Sequence, residues 1–298
     1  MGIGGGGDVV GALAAAGAAQ AAGTPAEVGG LTWERRPVDP LPGPRRLDEV
    51  RGAERVHPAA GLAGPDTTGP GGFHFAESRM AGVLGRPVAL IDPTGGPAAI
   101  ADGLVAVADR LDCDLLVLLD VGGDVLAHGD EAGLASPLAD ALLLAAAPHV
   151  EAAGLRTVAV VFGAGCDGEL TPDEVRARFD EVARAGGARG ESDPPAAALD
   201  TIEAALPHVP TEASAMALRC ARGETGRAEI RGGRRTVELS ALGGRLLWFD
   251  AARAIGSAAR LAAAVADAGS LEEAHELLTA RGVRTELAYE LDAAASGS

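Results

Sequence analysis

The chain has 298 residues, of which 47 % are hydrophobic, and its 42 acidic and 25 basic residues give a formal net charge of −17. This length allows one large or two modest domains with a buried core, and the acidic balance gives no electrostatic basis for binding DNA or RNA. Every basic residue is an arginine, which excludes Schiff-base lysine chemistry and a Walker A phosphate site.

The cysteines and the apolar runs indicate a compartment. Cys113, Cys166 and Cys220 lie far apart, without the spacing of a disulfide framework or a zinc site. Residues 9–22 are apolar, but Asp8 adjoins them and no basic residue precedes them, which argues against a signal peptide. We therefore expect a cytoplasmic protein that binds a small-molecule substrate, binds neither nucleic acid nor a membrane, and could form a homo-oligomer.

Short apolar runs alternate with helix-like stretches through the first two-thirds of the chain. This alternation is typical of an α/β fold, and we predict a Rossmann-like, mostly parallel sheet with flanking helices. The predicted strands cover residues 28–33, 88–91, 115–119 and 157–162. The predicted helices cover residues 9–22, 76–84, 97–111, 137–153 and 172–185.

Two segments depart from this pattern. Only Met1 and Gly2 precede Ile3, so most of the strand that should lead into the first glycine loop is missing. We therefore expect the natural chain to begin upstream of Met1. Residues 35–72 are rich in proline and glycine, show no helical period and carry six arginines. A connection of this length is unusual, and we interpret it as a cover over an active site.

The pattern changes in the last third of the chain. A hairpin is predicted at residues 228–239, with its turn at Gly232 and Gly233, and a further strand at 245–249. Helices are predicted at 250–268 and 271–280 and a last strand at 285–291. We divide the chain into a Rossmann-like domain, residues 1–207, and a C-terminal α+β subdomain of hairpin and helices, residues 208–298.

Glycine-rich turns suggest a single polar site. Residues 2–8 precede the first predicted helix, and residues 120–124 form a second cluster of glycine and aspartate. Glycines at a helix N-terminus let backbone N–H groups approach an anion closely. Asp8 complicates this interpretation, since it either caps the helix, repels a phosphate or holds a cation. The candidate cofactor-binding residues are Gly4, Gly5, Gly6, Gly7, Asp8 and Glu34.

Carboxylates recur where the predicted strands end. They are Asp8, Glu34, Asp92, Asp120, Asp124, Asp167 and Glu169. A row of carboxylates repels itself unless protons, hydrogen bonds or a cation compensate, and oxygen ligands suit Mg²⁺, Mn²⁺ or Ca²⁺. Asp8, Asp120 and Asp124 are the candidate metal ligands, and the alternative is that these side chains only cap helices and support turns.

The densest group of polar side chains lies in residues 120–131. Imidazole and carboxylate groups are the usual proton carriers in enzymes. The candidate catalytic residues are therefore Asp120, Asp124, His128 and Asp130. Cys166 has no basic neighbour in sequence, which disfavours a nucleophilic role.

Several ordered motifs resemble those of the DUF1152 family of prokaryotic proteins. They are GIGGGGDVVGAL, LTWER, FAESRMAG, IDPTGG, DVGGDVLAHGDEAGLASPLADA, GAGCDGEL, PTEASAM and LLWFD, and they extend over nearly the whole chain. The resemblance implies a Rossmann-like α/β fold, and it carries over no reaction and no catalytic residue.

Three functions are consistent with these observations. The leading hypothesis is an enzyme, a hydrolase or lyase, that acts on a polar, anionic metabolite by hydrolysis, addition or elimination, with a divalent metal such as Mg²⁺ or Mn²⁺. The first alternative is an NAD(P)-dependent oxidoreductase, in which residues 2–7 approximate the dinucleotide fingerprint and Glu34 binds a ribose hydroxyl. The second alternative is a non-catalytic ligand-sensing module.

Overall fold

The structure is a computed structural model that describes residues 1–296. Its strands are β1 (Gly29–Leu31), β2 (Glu54–His57), β3 (Ala60–Ala63), β4 (Val88–Ile91), β5 (Leu115–Val121), β6 (Arg156–Phe162), β7 (Ala188–Ser192), β8 (Gly226–Ile230), β9 (Arg235–Leu239) and β10 (Leu246–Phe249). Its helices are α1 (Asp8–Ala21), α2 (Ala76–Leu84), α3 (Gly96–Arg110), α4 (Pro137–Ala152), α5 (Pro172–Arg184), α6 (Ala196–Ala205), α7 (Glu212–Ala221), α8 (Ala251–Ile255), α9 (Arg260–Val265), α10 (Leu271–Thr279) and α11 (Glu286–Ala295).

The strands form two four-stranded sheets and a separate hairpin. The sheets have the orders β1-β4-β3-β2 and β5-β6-β10-β7, and β8 pairs with β9. Within them β1 is parallel to β4 and β5 is parallel to β6. These pairings confirm the predicted α/β class, with parallel strands at the centre and antiparallel strands at both edges.

Residues 1–3 connect the two sheets at the position predicted for the first strand. The N–H of Gly2 donates to the carbonyl of Gly29 at 2.9 Å, and the N–H of Ile3 donates to the carbonyl of Leu119 at 3.0 Å. Along the chain, the five parallel segments are residues 1–3, β1, β4, β5 and β6. Across the connected sheets they lie in the order β4, β1, residues 1–3, β5 and β6, which is third, second, first, fourth and fifth. In such a sheet the strand order reverses between the first and fourth segments, and ligands bind beyond the carboxyl ends at that point.

Helices cover both faces of the connected sheets. In β5 and β6 alternate residues point to opposite sides, so that Leu118 and Val161 belong to one buried cluster and Leu119 and Val160 to the other. Helices α3, α4 and α9 cover the first face, and α1, α6 and α7 cover the second. The parallel strands are buried on both sides, which explains their continuous apolar sequences.

The segment 35–72 contains two strands that its composition did not suggest. Strand β3 pairs antiparallel with β4, and β2 pairs antiparallel with β3. Strand β3 was not predicted because it is a short Ala-Gly-Leu-Ala run without the β-branched residues that mark a strand. The role of the segment as a cover stays a prediction. Only the start of the segment, around Arg35 to Val38, borders the cavity described below.

The C-terminal region also differs from its prediction. Residues 285–291 do not form a strand: α11 begins after Thr285, whose hydroxyl accepts a hydrogen bond from the N–H of Ala288. The predicted helix 250–268 is divided into α8 and α9, since α8 ends at Ile255 and Gly256 is its C-cap. The predicted hairpin is present, and β10 lies antiparallel between β6 and β7. Strand β7 and helix α6 were not predicted.

Candidate functional site

A cavity of about 840 Å³ lies beyond the carboxyl ends of the parallel strands. Its walls come from residues 6–7, 34–38, 135–136, 209–213, the turn of the β8–β9 hairpin and helix α11. A volume of this size is typical of sites for small metabolites. The cavity lies where the strand order reverses, between residues 1–3 and β5. This reversal places the loops that follow these two segments at the same edge of the sheet.

The N-termini of five helices border this cavity, and each carries an acidic residue in its first turn. The helices are α1, α2, α4, α7 and α11, and the residues are Asp8, Glu77, Asp140, Glu212 and Glu286. The positive end of a helix dipole stabilises negative charge within its first turn. The fold can therefore concentrate carboxylates at this edge of the sheet.

Three of the carboxylates converge. Oxygen atoms of Asp8, Asp120 and Asp140 lie within 4.8 Å of one another. The N–H of Gly4 donates to Asp8 Oδ2 at 3.0 Å, and the N–H of Gly123 donates to Asp120 Oδ2 at 2.9 Å. Asp140 is 2 % exposed and its Oδ1 has no hydrogen-bond partner. The structure thus brings together two of the three predicted metal ligands and adds Asp140, which sequence reasoning missed.

A second group adjoins the first. Oxygen atoms of Asp124, Asp167 and Glu169 also lie within 4.8 Å of one another. Glu169 accepts hydrogen bonds from the N–H groups of Ala135 and Ser136 at 2.7 and 2.8 Å, so its carboxylate caps the start of α4. Asp167 is part of the cavity lining. The six acidic residues of the two groups are called the carboxylate cluster below.

The carboxylate cluster is electrostatically strained. Burial raises the pKa of Asp8 to about 7 and that of Asp167 to about 8. Burial, followed by repulsion from neighbouring carboxylates, raises the pKa values of Asp120, Asp124 and Asp140 well above their usual range. Buried carboxylates this close together cannot all remain ionised at neutral pH without protons or a cation between them.

The glycine loop accommodates the protein's own side chains. A Cβ atom at Gly4 would lie 2.7 Å from Asp8 Oδ2 and 3.0 Å from Asp140 Oδ2. A Cβ atom at Gly7 would lie 2.1 Å from the Cβ atom of Thr211. Of the four predicted cofactor-binding glycines, Gly6 and Gly7 line the cavity. The carboxylate of Asp8 itself occupies the anion position beside the N-terminus of α1.

The structure places Glu34 and Arg35 at the end of β1. Glu34 lines the cavity but is buried, and it accepts a hydrogen bond from the N–H of Ala76 at the start of α2. Burial raises the pKa of Glu34 above its usual value. Arg35 donates to the carbonyl of Gly4 at 2.7 Å and thereby fixes the glycine loop.

Helix α11 closes one side of the site. Its Glu286 and Glu290 form ion pairs with Arg35 at 3.4 and 3.6 Å. Glu286 also accepts hydrogen bonds from the N–H groups of Leu138 and Ala139, at 3.0 and 2.9 Å, in the first turn of α4. A helical spacing of four places both glutamates on one face. The spacing of these two glutamates could have indicated a helix from the sequence, but residues 285–291 were predicted to form a strand.

His128 and Asp130 do not line the cavity. His128 Nε2 lies 3.0 Å from Glu181 Oε2, and Arg178 pairs with Glu131 at 3.0 Å and with Glu181 at 3.1 Å. Burial acts to raise the pKa of Glu131, but hydrogen bonds from backbone N–H groups and from Arg178 lower it. We call His128, Glu131, Arg178 and Glu181 the Arg178 network. A catalytic role for His128 or Asp130 stays a prediction.

Cys166 and Asp92 also lie outside this cavity lining. Cys166 is fully buried, with its Sγ 3.7 Å from Cys220 Sγ, and both thiols are free. The hydrogen bond with Cys220 and burial raise the pKa of Cys166, which opposes a nucleophilic role. Asp92 accepts hydrogen bonds from the N–H of Leu47 and from Thr94 and borders a different cavity.

A comparison with known proteins identifies a family. The family profile described as "Protein of unknown function (DUF1152)" matches residues 1–294. No curated protein and no solved structure was found to match the chain. Within residues 1–296, none of the helices combines the length and apolar character that crossing a bilayer requires.

Proposed function

The chain belongs to the DUF1152 family, and we propose from the chemistry of its cavity that it is a divalent-cation-dependent enzyme. Its substrate is a small, polar, anionic metabolite, and its reaction is a hydrolysis, an addition or an elimination. The observation that carries this proposal is the convergence of Asp8, Asp120 and Asp140 within 4.8 Å of one another. These three carboxylates do not themselves line the 840 Å³ cavity, but Gly7, the neighbour of Asp8 in the chain, and Asp167 of the adjoining group do.

A divalent cation fits the donors of this cluster. The unpartnered Oδ1 of Asp140 and the remaining oxygens of Asp8 and Asp120 are hard ligands, which Mg²⁺ and Mn²⁺ prefer. Asp124, the third ligand predicted from the sequence, belongs to the adjoining group. A cation would neutralise the repulsion that now raises the pKa values of these carboxylates.

The residues divide into three tasks. A cation held by Asp8, Asp120 and Asp140 would polarise a substrate oxygen or lower the pKa of a bound water. Asp167 lies in the cavity lining, and burial raises its pKa to about 8, which suits it to donate a proton to the substrate. Arginines of the lining attract the negative charge of the substrate. In this proposal Asp167, and not His128 or Asp130 as predicted from the sequence, is the residue that carries the proton.

Two observations make the oxidoreductase alternative less favourable. In a dinucleotide site the pyrophosphate lies at the N-terminus of the first helix, but there the carboxylate of Asp8 accepts the N–H of Gly4. The carboxylate of Glu34, expected to bind a ribose, accepts the N–H of Ala76 instead.

The ligand-sensing alternative differs from an enzyme only in that it binds its ligand without converting it. The three free cysteines support a location in the cytoplasm.

Thermal unfolding with a metabolite screen tests the proposal. Millimolar Mg²⁺ or Mn²⁺ is expected to raise the melting temperature, EDTA to reverse the rise, and Asp140→Asn to abolish it. Asp130→Asn is the matched control, because Asp130 is an exposed aspartate outside the carboxylate cluster. Metal-dependent conversion of a metabolite supports an enzyme, and metal-dependent binding without conversion supports a sensor. An unchanged melting curve with either metal would overturn the proposed cation site.

A further inference from the structure

We propose that the metabolite bound in this cavity is a phosphate ester, and that three arginines of the β8–β9 hairpin bind its phosphoryl group. These arginines are Arg231, Arg234 and Arg235, and all three line the cavity. The inference rests on the proposed function only in taking this cavity as the substrate site, and it does not require the cation.

Two anchors hold Arg235 over the carboxylate cluster. Its Nη1 donates to the carbonyl of Asp167 at 3.3 Å and its Nη2 donates to the carbonyl of Gly133 at 2.9 Å. Carbonyl oxygens carry no net charge, so these bonds fix the guanidinium without neutralising it. The remaining N–H groups are available to an anion above Asp167.

Arg234 and Arg231 add positive charge beside it. Arg234 donates from Nε to the carbonyl of Arg231 at 2.9 Å and forms no ion pair with residues 1–296. Arg231 lies 3.6 Å from Glu169 Oε1, a carboxylate already bonded to the start of α4.

The turn of the hairpin has an arginine, Arg231, at a position whose backbone conformation favours glycine. Arg231, Gly232 and Gly233 have φ angles of 54°, 64° and 80°. A left-handed conformation is unfavourable for a residue with a long side chain. Glu212 holds the turn in place by accepting the N–H of Arg231 at 2.9 and 2.8 Å. This contact attaches the hairpin turn to the start of α7, another wall of the cavity.

Two of the acidic residues in the same lining, Glu286 and Glu290, already pair with another arginine, Arg35. Glu212 directs both of its oxygens at the backbone N–H of Arg231. Three guanidinium groups offer more N–H donors than the two oxygens of a carboxylate can accept. A phosphate monoester presents three terminal oxygens and a charge close to −2, which matches this donor set better. The cavity volume leaves room for the rest of the metabolite.

Calorimetric titration with inorganic phosphate in the presence of Mg²⁺ tests this inference. The wild-type protein is expected to bind phosphate, and Arg231→Gln and Arg234→Gln are each expected to weaken binding at least tenfold. Arg227→Gln is the matched control, because Arg227 is exposed on β8 of the same hairpin and does not line the cavity. Malonate serves as the carboxylate comparison. Circular dichroism of each variant verifies that the fold is intact.

The outcomes separate this inference from the proposed function. Loss of phosphate binding in Arg231→Gln and Arg234→Gln, with the Mg²⁺ response intact, supports both. Arginine-dependent phosphate binding without any Mg²⁺ response supports the phosphate site and contradicts the cation site. Malonate that binds as tightly as phosphate, or phosphate binding that both variants retain, overturns the phosphate site and leaves the cation site standing.

Discussion

The carboxylate cluster and the Arg178 network contain similar residues but show opposite electrostatics. In the Arg178 network, Glu131 accepts two backbone N–H groups and the guanidinium of Arg178, and its pKa is lowered. In the carboxylate cluster, Asp140 has an unpartnered oxygen, and burial and neighbouring carboxylates raise its pKa. The first group satisfies its charges within the chain, whereas the second requires protons or a ligand.

This difference indicates which group is structural and which is functional. Both groups include residues of the polar segment 120–131, and His128 and Glu131 of the Arg178 network lie, together with Asp130, close enough to hold a metal, as the residues of the carboxylate cluster do. A carboxylate that is paired with a cation or N–H donor of the same chain needs no ligand. A carboxylate with a perturbed pKa and no such partner is typical of a functional site. The following experiments compare the two groups, from the largest expected effect to the smallest.

Asp140→Asn is expected to have the largest effect. Loss of this ligand should weaken Mg²⁺ binding at least about 100-fold, since even residues behind a metal ligand contribute 10- to 100-fold. The same change should stabilise the metal-free protein by about 1–2 kcal/mol, because it removes a buried carboxylate from among like charges. Calorimetry and urea unfolding measure the two effects. A variant that loses stability and keeps its Mg²⁺ affinity would assign Asp140 a structural role.

Arg178→Met is expected to act on stability alone. It leaves Glu131, whose side chain is 1 % exposed, without its cation. Breaking a buried ion pair costs about 3–5 kcal/mol, and the 17 % exposure of Arg178 reduces our expectation to about 2–3 kcal/mol. Urea unfolding measures the loss, and Mg²⁺ binding should remain at the wild-type value. Reduced Mg²⁺ binding in a folded Arg178→Met variant would mean that the two groups are coupled.

The pH dependence of stability should also distinguish the two groups. The folded-state pKa values of about 7 for Asp8 and about 8 for Asp167 exceed the unfolded value near 3.8. The folded state therefore binds more protons than the unfolded state, and stability in EDTA should fall as pH rises from about 5 to 8, by about 1–3 kcal/mol. The lowered pKa of Glu131 has the opposite sign, and its contribution is lost only as pH falls below about 4.5.

Chemical unfolding in EDTA across this pH range measures the trend. Mg²⁺ should remove it, because a cation binds the deprotonated carboxylates and its affinity increases with pH. A metal-free protein that becomes more stable from pH 5 to 8 would contradict the strained character of the carboxylate cluster.

His128→Gln is expected to have the smallest effect. Glutamine can still donate a hydrogen bond to Glu181, so stability should change by less than about 1 kcal/mol. Mg²⁺ affinity and any metal-dependent turnover should stay within about twofold of the wild type. General acid–base catalysis typically contributes about 10²–10⁴-fold, and a loss of that size would restore the catalytic role predicted for His128 from the sequence.

The main part of the fold could be predicted from local sequence patterns. The boundaries of α2 and β4 coincide with their predictions, and the hydroxyl of Thr171 caps α5 by accepting a hydrogen bond from the N–H of Glu174. These elements have a clear period or a clear cap. Strand β3 and helix α11 were missed because pairing with β4 and ion pairs with Arg35 define them, and neither contact is visible in a local window.

The candidate site could be predicted only in part. Parallel strand ends explain why Asp8 and Asp120 were expected at the same edge of the sheet. Asp140 lies within α4, where an acid in the first turn is fully explained by the helix dipole. Arg231 and Arg234 lie in a hairpin turn and Arg235 begins β9, and the sequence of this turn resembles that of any solvated turn. Their contribution depends on how the hairpin packs over Asp167, which is a tertiary contact.

A crystal of the protein soaked in Mn²⁺ tests the central claim most directly, because manganese gives an anomalous signal that locates the ion. Our account predicts a peak bounded by the carboxylates of Asp8, Asp120 and Asp140, and no such peak in a soaked Asp140→Asn crystal. A peak at His128, Asp130 and Glu131 instead, or a carboxylate cluster that stays free of manganese at millimolar concentration, would contradict it.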